Sequence, residues 1–137
     1  MMRGILLISH GFYAEAFKES LKMIAGNVEN LYACCLEPTD GPEEFKAKLQ
    51  AVEPTLDGYD SVLVFADLFG GSPCNTACQY FVTKEKYSFI AGMNFPMVLN
   101  ALLSEDSDLE SVISQGRESI VDVRAFMQAM MSSDEDE

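Results

Sequence analysis

The chain contains a single histidine, His10, and its position is more informative than its type. It follows a short apolar run, residues 3–9, and precedes Gly11, which is typical of a turn at the end of a strand. A neutral imidazole nitrogen can attack phosphorus and form a covalent phosphoryl intermediate. His10 is therefore the first candidate for chemistry, although a lone histidine in a loop can also have no task.

Two further motifs could support such a reaction. Asp67 follows a second apolar run, and a carboxylate next to an imidazole fixes its tautomer and stabilises the positive charge that develops on the ring. Gly70-Gly71-Ser72-Pro73 comes next, where two glycines would let backbone N–H groups approach an anion at the start of a helix. A strand-end aspartate and a capped strand-to-helix turn are the plainer interpretations. Together the motifs predict a phosphate-handling site that needs no metal and no cofactor.

Large apolar side chains occur near the same motifs. We expect Phe12, Phe69, Met93 and Phe95 to form a docking rim for a partner protein, with core packing as the alternative for each.

Strands and helices alternate along the chain and would bring these motifs together. The hydrophobic periodicity predicts an α/β fold, with a doubly wound, mostly parallel sheet in the order 2-1-3-4 flanked by helices. Strands 1 and 3 would then be neighbours, and ligands bind outside the carboxyl ends of such strands. Because His10 and Asp67 end those strands, we expect them to meet. The predicted strands cover 3–9, 30–36, 61–66 and 86–91, and the predicted helices cover 12–25, about 42–56, 73 to about 81, 96–103 and 108–116. Ser72 is expected at the N-cap of the third helix and Pro73 at its first position.

The C-terminal part is less regular. Residues 119–123 are β-branched enough for a late strand, with helix as the competing prediction. In the first predicted helix, Tyr13, Phe17, Leu21 and Ile24 recur at helical spacing and are expected to share one apolar stripe. We expect one domain over residues 1–130 and an acidic tail over 131–137. The four cysteines, Cys34, Cys35, Cys74 and Cys78, lack the spacing of a metal site or a disulfide framework and are expected to be reduced thiols of the core.

Composition excludes several function classes. The 137 residues carry 9 Lys and Arg against 22 Asp and Glu, a net charge of −13, so a nucleic-acid or anionic-membrane surface is not expected. The N-terminal apolar run is too short for a signal peptide, and no run approaches a membrane span. We therefore expect a cytoplasmic protein.

Three segments, Ser9–Gly11, Asp67–Ala77 and Ala91–Met97, closely resemble the mannose-type EIIA domain of the bacterial phosphoenolpyruvate-dependent sugar phosphotransferase system. The resemblance extends over at least residues 3–125. It implies that His10 is phosphorylated by the carrier HPr, with Asp67 as its hydrogen-bond partner. It also implies that the phosphoryl group passes to a IIB component, which acts with the IIC and IID membrane components. By the same resemblance, Gly71 and Ser72 bind the phosphoryl oxygens, and the adjoining Gly11 and Gly70 are included in that site.

The resemblance further implies a homodimer that exchanges a C-terminal β-strand between subunits, which would fall at residues 119–123. Phe69 stands where some members have Trp.

The same residues could serve three other functions. A histidine phosphatase or mutase is disfavoured because Ser9 replaces the arginine that would precede the histidine, and there is no second histidine. A regulatory module that reports phosphorylation, or a phosphoryl donor to a dihydroxyacetone kinase, would use the same His10. By the same resemblance, a domain of this kind does not contact the transported sugar, so its sequence does not specify which sugar that is.

Overall fold

A computed structural model describes residues 2–135, which form one sheet with helices on both faces. The strands are β1 Arg3–His10, β2 Leu31–Leu36, β3 Ser61–Ala66 and β4 Tyr87–Ala91. The helices are α1 Tyr13–Ala25, α2 Pro42–Leu56, α3 Ser72–Phe81, α4 Phe95–Leu103, α5 Leu109–Glu118 and α6 Val123–Glu135.

The sheet is parallel, and its strand order β2-β1-β3-β4 confirms the predicted topology. β1 is central, and its residues 3–9 are all buried, as expected for a strand covered on both faces. In the register, His10 lies opposite Leu36, and Ile8 lies opposite Ala66, the last residue of β3. The carboxyl ends of β1 and β3 therefore meet at one edge of the sheet.

Each face of the sheet has its own core. On one face, α1, α4 and α5 pack around Phe17, Leu21 and Val98, and on the other α2 and α3 pack around Phe45 and Phe81. Tyr13 and Ile24, predicted to share the inner stripe of α1 with Phe17, are exposed instead.

Gly116 was expected to end the helix that begins near Asp108, and that prediction is wrong. α5 continues to Glu118, and Gly116 is buried inside it. A side chain at this position would place its Cβ 2.5 Å from Met97 Sδ, so the glycine permits close packing between α5 and α4.

The late strand expected over residues 119–123 is not formed in this chain. Residues 120–122 form neither strand nor helix, and α6 begins at Val123. Asp122 stabilises that start because its carboxylate accepts the Ala125 N–H at 3.1 Å, and Ala, Met, Gln and Arg favour the helix that follows.

α6 also changes the boundary of the predicted tail. Residues 131–135 continue α6, so a tail beginning at 131 would start inside this helix, and residues 136–137 lie outside the described part of the chain. Among residues 2–135, no helix combines the length and apolar character that crossing a bilayer demands.

Candidate functional site

His10 is the last residue of β1, and its side chain is 45% exposed at the mouth of the sheet. The chain turns immediately afterwards, with Gly11 at φ +57°, a conformation that glycine adopts without strain. The Gly11 N–H donates to Leu36 O at 2.7 Å, which fixes this turn to the end of β2. The imidazole is thus held by backbone geometry at a point open to a partner.

Asp67 contacts His10 twice through one oxygen. Its Oδ2 accepts the backbone N–H of His10 at 3.0 Å and lies 3.0 Å from Nδ1 of the ring. A carboxylate can only accept, so the second contact assigns the ring proton to Nδ1 and leaves the lone pair on Nε2. The Asp67 side chain is 17% exposed, and its Oδ1 is buried without a hydrogen-bond partner among the described residues.

The glycine pair approaches the same ring. Gly70 has φ +80°, and a Cβ built on Gly71 would lie 2.6 Å from Cε1 and 3.2 Å from Nε2 of His10. No side chain fits at Gly71 with the ring in this position. The glycine backbone therefore lies directly beside the nitrogen that carries the lone pair.

α3 begins at this glycine pair. Ser72 was expected at the N-cap and Pro73 at the first helical position, but Gly71 occupies the N-cap and Ser72 is the first residue of the helix. The shift is small, and the N-terminus of α3 with its free backbone N–H groups still lies next to His10.

Ser9 stabilises the turn that carries His10. Sequence reasoning did not identify it as a site residue. It is fully buried, its Oγ accepts the Ala14 N–H at 2.7 Å, and it donates to Gly11 O at 3.3 Å. These bonds tie the turn that carries His10 to the first turn of α1. The hydroxyl residue just before the turn was the only sequence feature that could have indicated this.

The predicted docking residues divide into two groups. Phe12 is 61% exposed and Phe69 is 86% exposed, so both are accessible apolar side chains, two positions along the chain from His10 and from Asp67 respectively. Leu68, which sequence reasoning missed, is exposed as well.

Met93 and Phe95 differ from that prediction. Met93 is only 5% exposed and belongs to the core, because the N–H groups of Gly92 and Met93 both donate to Ala66 O and fold this loop back onto the sheet. Phe95 packs against Phe17, with ring centroids 5.5 Å apart, and is only partly exposed. The structure thus corrects Met93 to a core residue.

The four cysteines are free thiols. Cys34 and Cys35 point to opposite faces of β2, as expected for adjacent strand residues. Burial raises the pKa of the Cys34 thiol to about 11, which makes it a poor nucleophile at neutral pH.

Residues 4–115 match a protein-family model described as "EIIA-man: PTS system fructose IIA component". The chain belongs to the mannose-type EIIA family of the sugar phosphotransferase system.

Individual relatives agree with this membership. The mannose-specific EIIAB component of Escherichia coli K12 is 32% identical over 131 residues, which cover 91% of this chain and 41% of that relative. The sorbose-specific EIIA component of Lacticaseibacillus casei is 33% identical over 104 residues, 75% of this chain and 74% of its own. The chain therefore spans less than half of the E. coli protein and most of the L. casei protein.

The fold agrees with a solved member of the phosphotransferase system. A crystal structure of the PTS IIA protein associated with the fucose utilization operon of Streptococcus pneumoniae superimposes with a TM-score of 0.84 at 29% identity. The match covers 91% of this chain and 96% of that protein. The α/β architecture with its parallel β2-β1-β3-β4 sheet is therefore that of an EIIA domain.

Proposed function

We propose that this EIIA protein is a cytoplasmic phosphocarrier that accepts a phosphoryl group from phospho-HPr on Nε2 of His10 and passes it to a IIB component during sugar uptake. The observation that carries the proposal is the contact between His10 Nδ1 and Asp67 Oδ2, which leaves Nε2 as the free nucleophile. Family membership indicates the type of partner, and the position of His10 at an open sheet edge makes it accessible to one.

The transfer balances without a cofactor. The Nε2 lone pair forms a bond to phosphorus as the phosphorus–nitrogen bond of the donor's phosphohistidine breaks, and the donor imidazole leaves with that electron pair. The Nδ1 proton stays on His10 and shares the hydrogen bond with Asp67, whose negative charge stabilises the cationic ring. Transfer to the IIB component is the same step in the opposite direction.

The glycine turn and the start of α3 would bind the transferred group. Gly70, Gly71 and Ser72 lie at the helix N-terminus, where backbone N–H groups and the helix dipole favour anionic oxygens, and Gly11 forms the turn directly after His10. Positioning and electrostatics supply the catalysis for such a transfer.

Exposed apolar side chains around His10 would provide the docking surface for both partners. Phe12, Leu68 and Phe69 are exposed and lie within two positions of His10 or Asp67 in the chain, and aromatic side chains of this kind often contribute most of the affinity at an interface.

The proposal is tested by incubating the protein with phosphoenolpyruvate, the general phosphotransferase enzyme and HPr, and measuring its intact mass. We expect one added phosphoryl group that is labile in acid and stable in base, and none on a His10→Ala variant. The variant should fold, because the exposed imidazole leaves little void in the core. A phosphorylated His10→Ala protein would contradict the assignment.

The comparisons bear on one of the alternative functions, the phosphoryl donor to a dihydroxyacetone kinase. The relatives named above belong to mannose and sorbose systems, which favours a sugar phosphotransferase over a donor to a dihydroxyacetone kinase.

We also propose that the protein forms a homodimer through its C-terminal segment. An apolar groove of about 440 Å³ runs along the open edge of β4, lined in part by Phe89, Ile113 and Ile120. A second apolar surface lies on α6 and the residues before it: Ile120, Val121, Val123, Phe126, Met127, Met130 and Met131 are all exposed. Pairing residues 119–123 with the β4 edge of a second copy would cover both surfaces.

A further inference from the structure

Asn75 holds both carbonyl groups of the glycine pair beside His10. Its side-chain Nδ2 donates to Gly70 O at 3.0 Å, and its backbone N–H donates to Gly71 O at 2.9 Å. Asn75 is itself exposed on α3 and contributes no core packing. Its visible contacts are therefore directed at the turn.

These two bonds fix the orientation of two peptide units. A trans peptide is planar, so its N–H points away from its C=O. Gly70 O and the Gly71 N–H belong to one unit, and Gly71 O and the Ser72 N–H belong to the next. The bond from the Asn75 side chain to Gly70 O directs the Gly71 N–H to the other side of the turn. The bond from the Asn75 N–H to Gly71 O is the helical i→i−4 bond and does not depend on the side chain.

The turn needs such an anchor because glycine does not fix it. Gly70 has φ +80°, a region that glycine enters and leaves easily, and the Gly71 N–H reaches Leu68 O only at 3.5 Å. The Gly71 N–H is thus weakly engaged and free to donate elsewhere. Without the Asn75 side chain, the 70–71 peptide could rotate at low cost.

We propose that Asn75 is a positioning residue for phosphoryl acceptance: its side-chain amide presents the Gly71 N–H to the oxygens of the group on His10. This role rests on the proposed function, since it presupposes a phosphoryl group on Nε2. Gly71 lies close enough for this, because its Cβ position is only 3.2 Å from Nε2. Asn75 touches neither the histidine nor the phosphoryl group and acts through the backbone alone.

The competing role is stabilisation of α3. Asn75 lies in the first turns of this helix, where a negatively charged side chain is more favourable than an amide. A helix-stabilising role therefore predicts that Asn75→Asp performs at least as well as Asn75→Ala. The positioning role predicts the reverse, because a carboxylate cannot donate to Gly70 O and would repel both that carbonyl and the phosphoryl group.

The test compares Asn75→Ala and Asn75→Asp with Gln79→Ala, an exposed control one turn further along α3. With phospho-HPr as donor, we expect Asn75→Ala to lower the maximal phosphorylation rate by about 10- to 100-fold, somewhat less than loss of a direct oxyanion donor. Asn75→Asp should lower it further. The half-saturating concentration of phospho-HPr and the urea midpoint should change little, and Gln79→Ala should match the parent protein.

A rate for Asn75→Ala within threefold of the parent, or an Asn75→Asp rate above that of Asn75→Ala, would overturn the positioning role. Amide NMR of the unphosphorylated proteins tests the anchor separately. We expect the Gly71 signal to shift and its hydrogen exchange to accelerate in Asn75→Ala but not in Gln79→Ala.

The two measurements distinguish the possible failures. If the parent protein accepts no phosphoryl group, the proposed function is wrong and the positioning role falls with it, even where NMR shows an anchored turn. If the parent is phosphorylated but the Gly71 signal is unaffected by Asn75→Ala, the proposed function stands and the role of Asn75 is wrong.

Discussion

At the scale of single residues, the proposed chemistry depends on the charge that Asp67 places against Nδ1 of His10. An Asp67→Asn variant can still accept one hydrogen bond through its amide oxygen but supplies no negative charge opposite the imidazolium that forms. We expect it to fold and to slow phosphoryl transfer by about 10²- to 10⁴-fold. Rapid-quench kinetics would check this. A rate within tenfold of the parent would show that Asp67 has only a structural role at the end of its strand.

Gly71 makes a steric prediction at the same scale. Its φ of −76° and ψ of 166° suit alanine, so Gly71→Ala should not strain the backbone, yet the new Cβ would meet the His10 ring at 2.6 Å. We expect the ring to move and the transfer rate to fall by about 10²-fold, as misplacement of a reacting group by about 1 Å can do.

Gly41→Ala is the matched control for that variant. Gly41 is also a helix N-cap with an extended backbone, and a Cβ there would meet nothing closer than 3.4 Å. It should leave the rate and the NMR signals of the His10 ring unchanged. If Gly71→Ala behaves like Gly41→Ala, the glycine beside the histidine has no steric role.

Whether a site residue could be predicted from the sequence depends on what positions it in the fold. His10 and Asp67 were predictable because strand ends and sheet order alone bring them together. The contacts of Ser9 and Asn75 depend on hydrogen bonds inside turns that have no periodic pattern. Met93 was misassigned because a residue after a strand usually faces solvent, whereas this loop folds back onto Ala66.

At the scale of elements, a polar network joins the end of α2, the segment after α3 and the start of β4 at the end of the sheet opposite His10. Lys84 Nζ lies 2.7 Å from Asp57 Oδ2 and 2.6 Å from Glu53 Oε2, and the Tyr87 hydroxyl donates to Asp57 Oδ1. The hydrogen bond from Lys84, and after it that from Tyr87, lowers the pKa of Asp57 below its ordinary value of 3.8.

This depressed pKa fixes the sign of a pH dependence. The contribution of Asp57 to stability is fully present above about pH 3.8 and disappears as the pH falls through the lower pKa of the folded state. We expect Asp57→Asn to lower the urea midpoint at pH 7 and to converge with the parent in acid. Asp60→Asn, an exposed control with no side-chain hydrogen bond among the described residues, should show no such convergence. A difference between parent and Asp57→Asn that is constant with pH would contradict this.

The elements themselves were largely predictable. Apolar runs predicted all four strands, and most clearly β1 and β3, because a parallel strand covered on both faces is apolar at nearly every position. The larger errors lie in the C-terminal quarter and have two causes. Gly116 permits close helix packing instead of ending a helix. The β-branched and capping residues 120–123 come directly before residues that strongly favour a helix. Local propensity could not decide between strand and helix there without a neighbouring strand.

At the scale of the whole molecule, the prediction concerns assembly. Stopping the chain after Ser119 removes the apolar segment and α6 but keeps Ser119, whose hydroxyl donates to Gly116 O at 2.7 Å. If residues 119–123 pair with the β4 edge of a second copy, this truncation should give monomers or aggregates in multi-angle light scattering. Removing only residues 132–137 should leave the dimer intact. A stable dimer of the shorter chain would place the interface elsewhere.

The proposed phosphoryl transfer depends on one atom, Nε2 of His10, and NMR of that atom tests the proposal most directly. After phosphorylation by phospho-HPr, long-range proton–nitrogen spectra of protein labelled with nitrogen-15 report which ring nitrogen of His10 carries phosphorus. We expect a phosphorus coupling at Nε2, with the proton retained on Nδ1 and hydrogen-bonded to Asp67. Phosphorus on Nδ1, or an unmodified His10 in a protein that has gained a phosphoryl group, would contradict it.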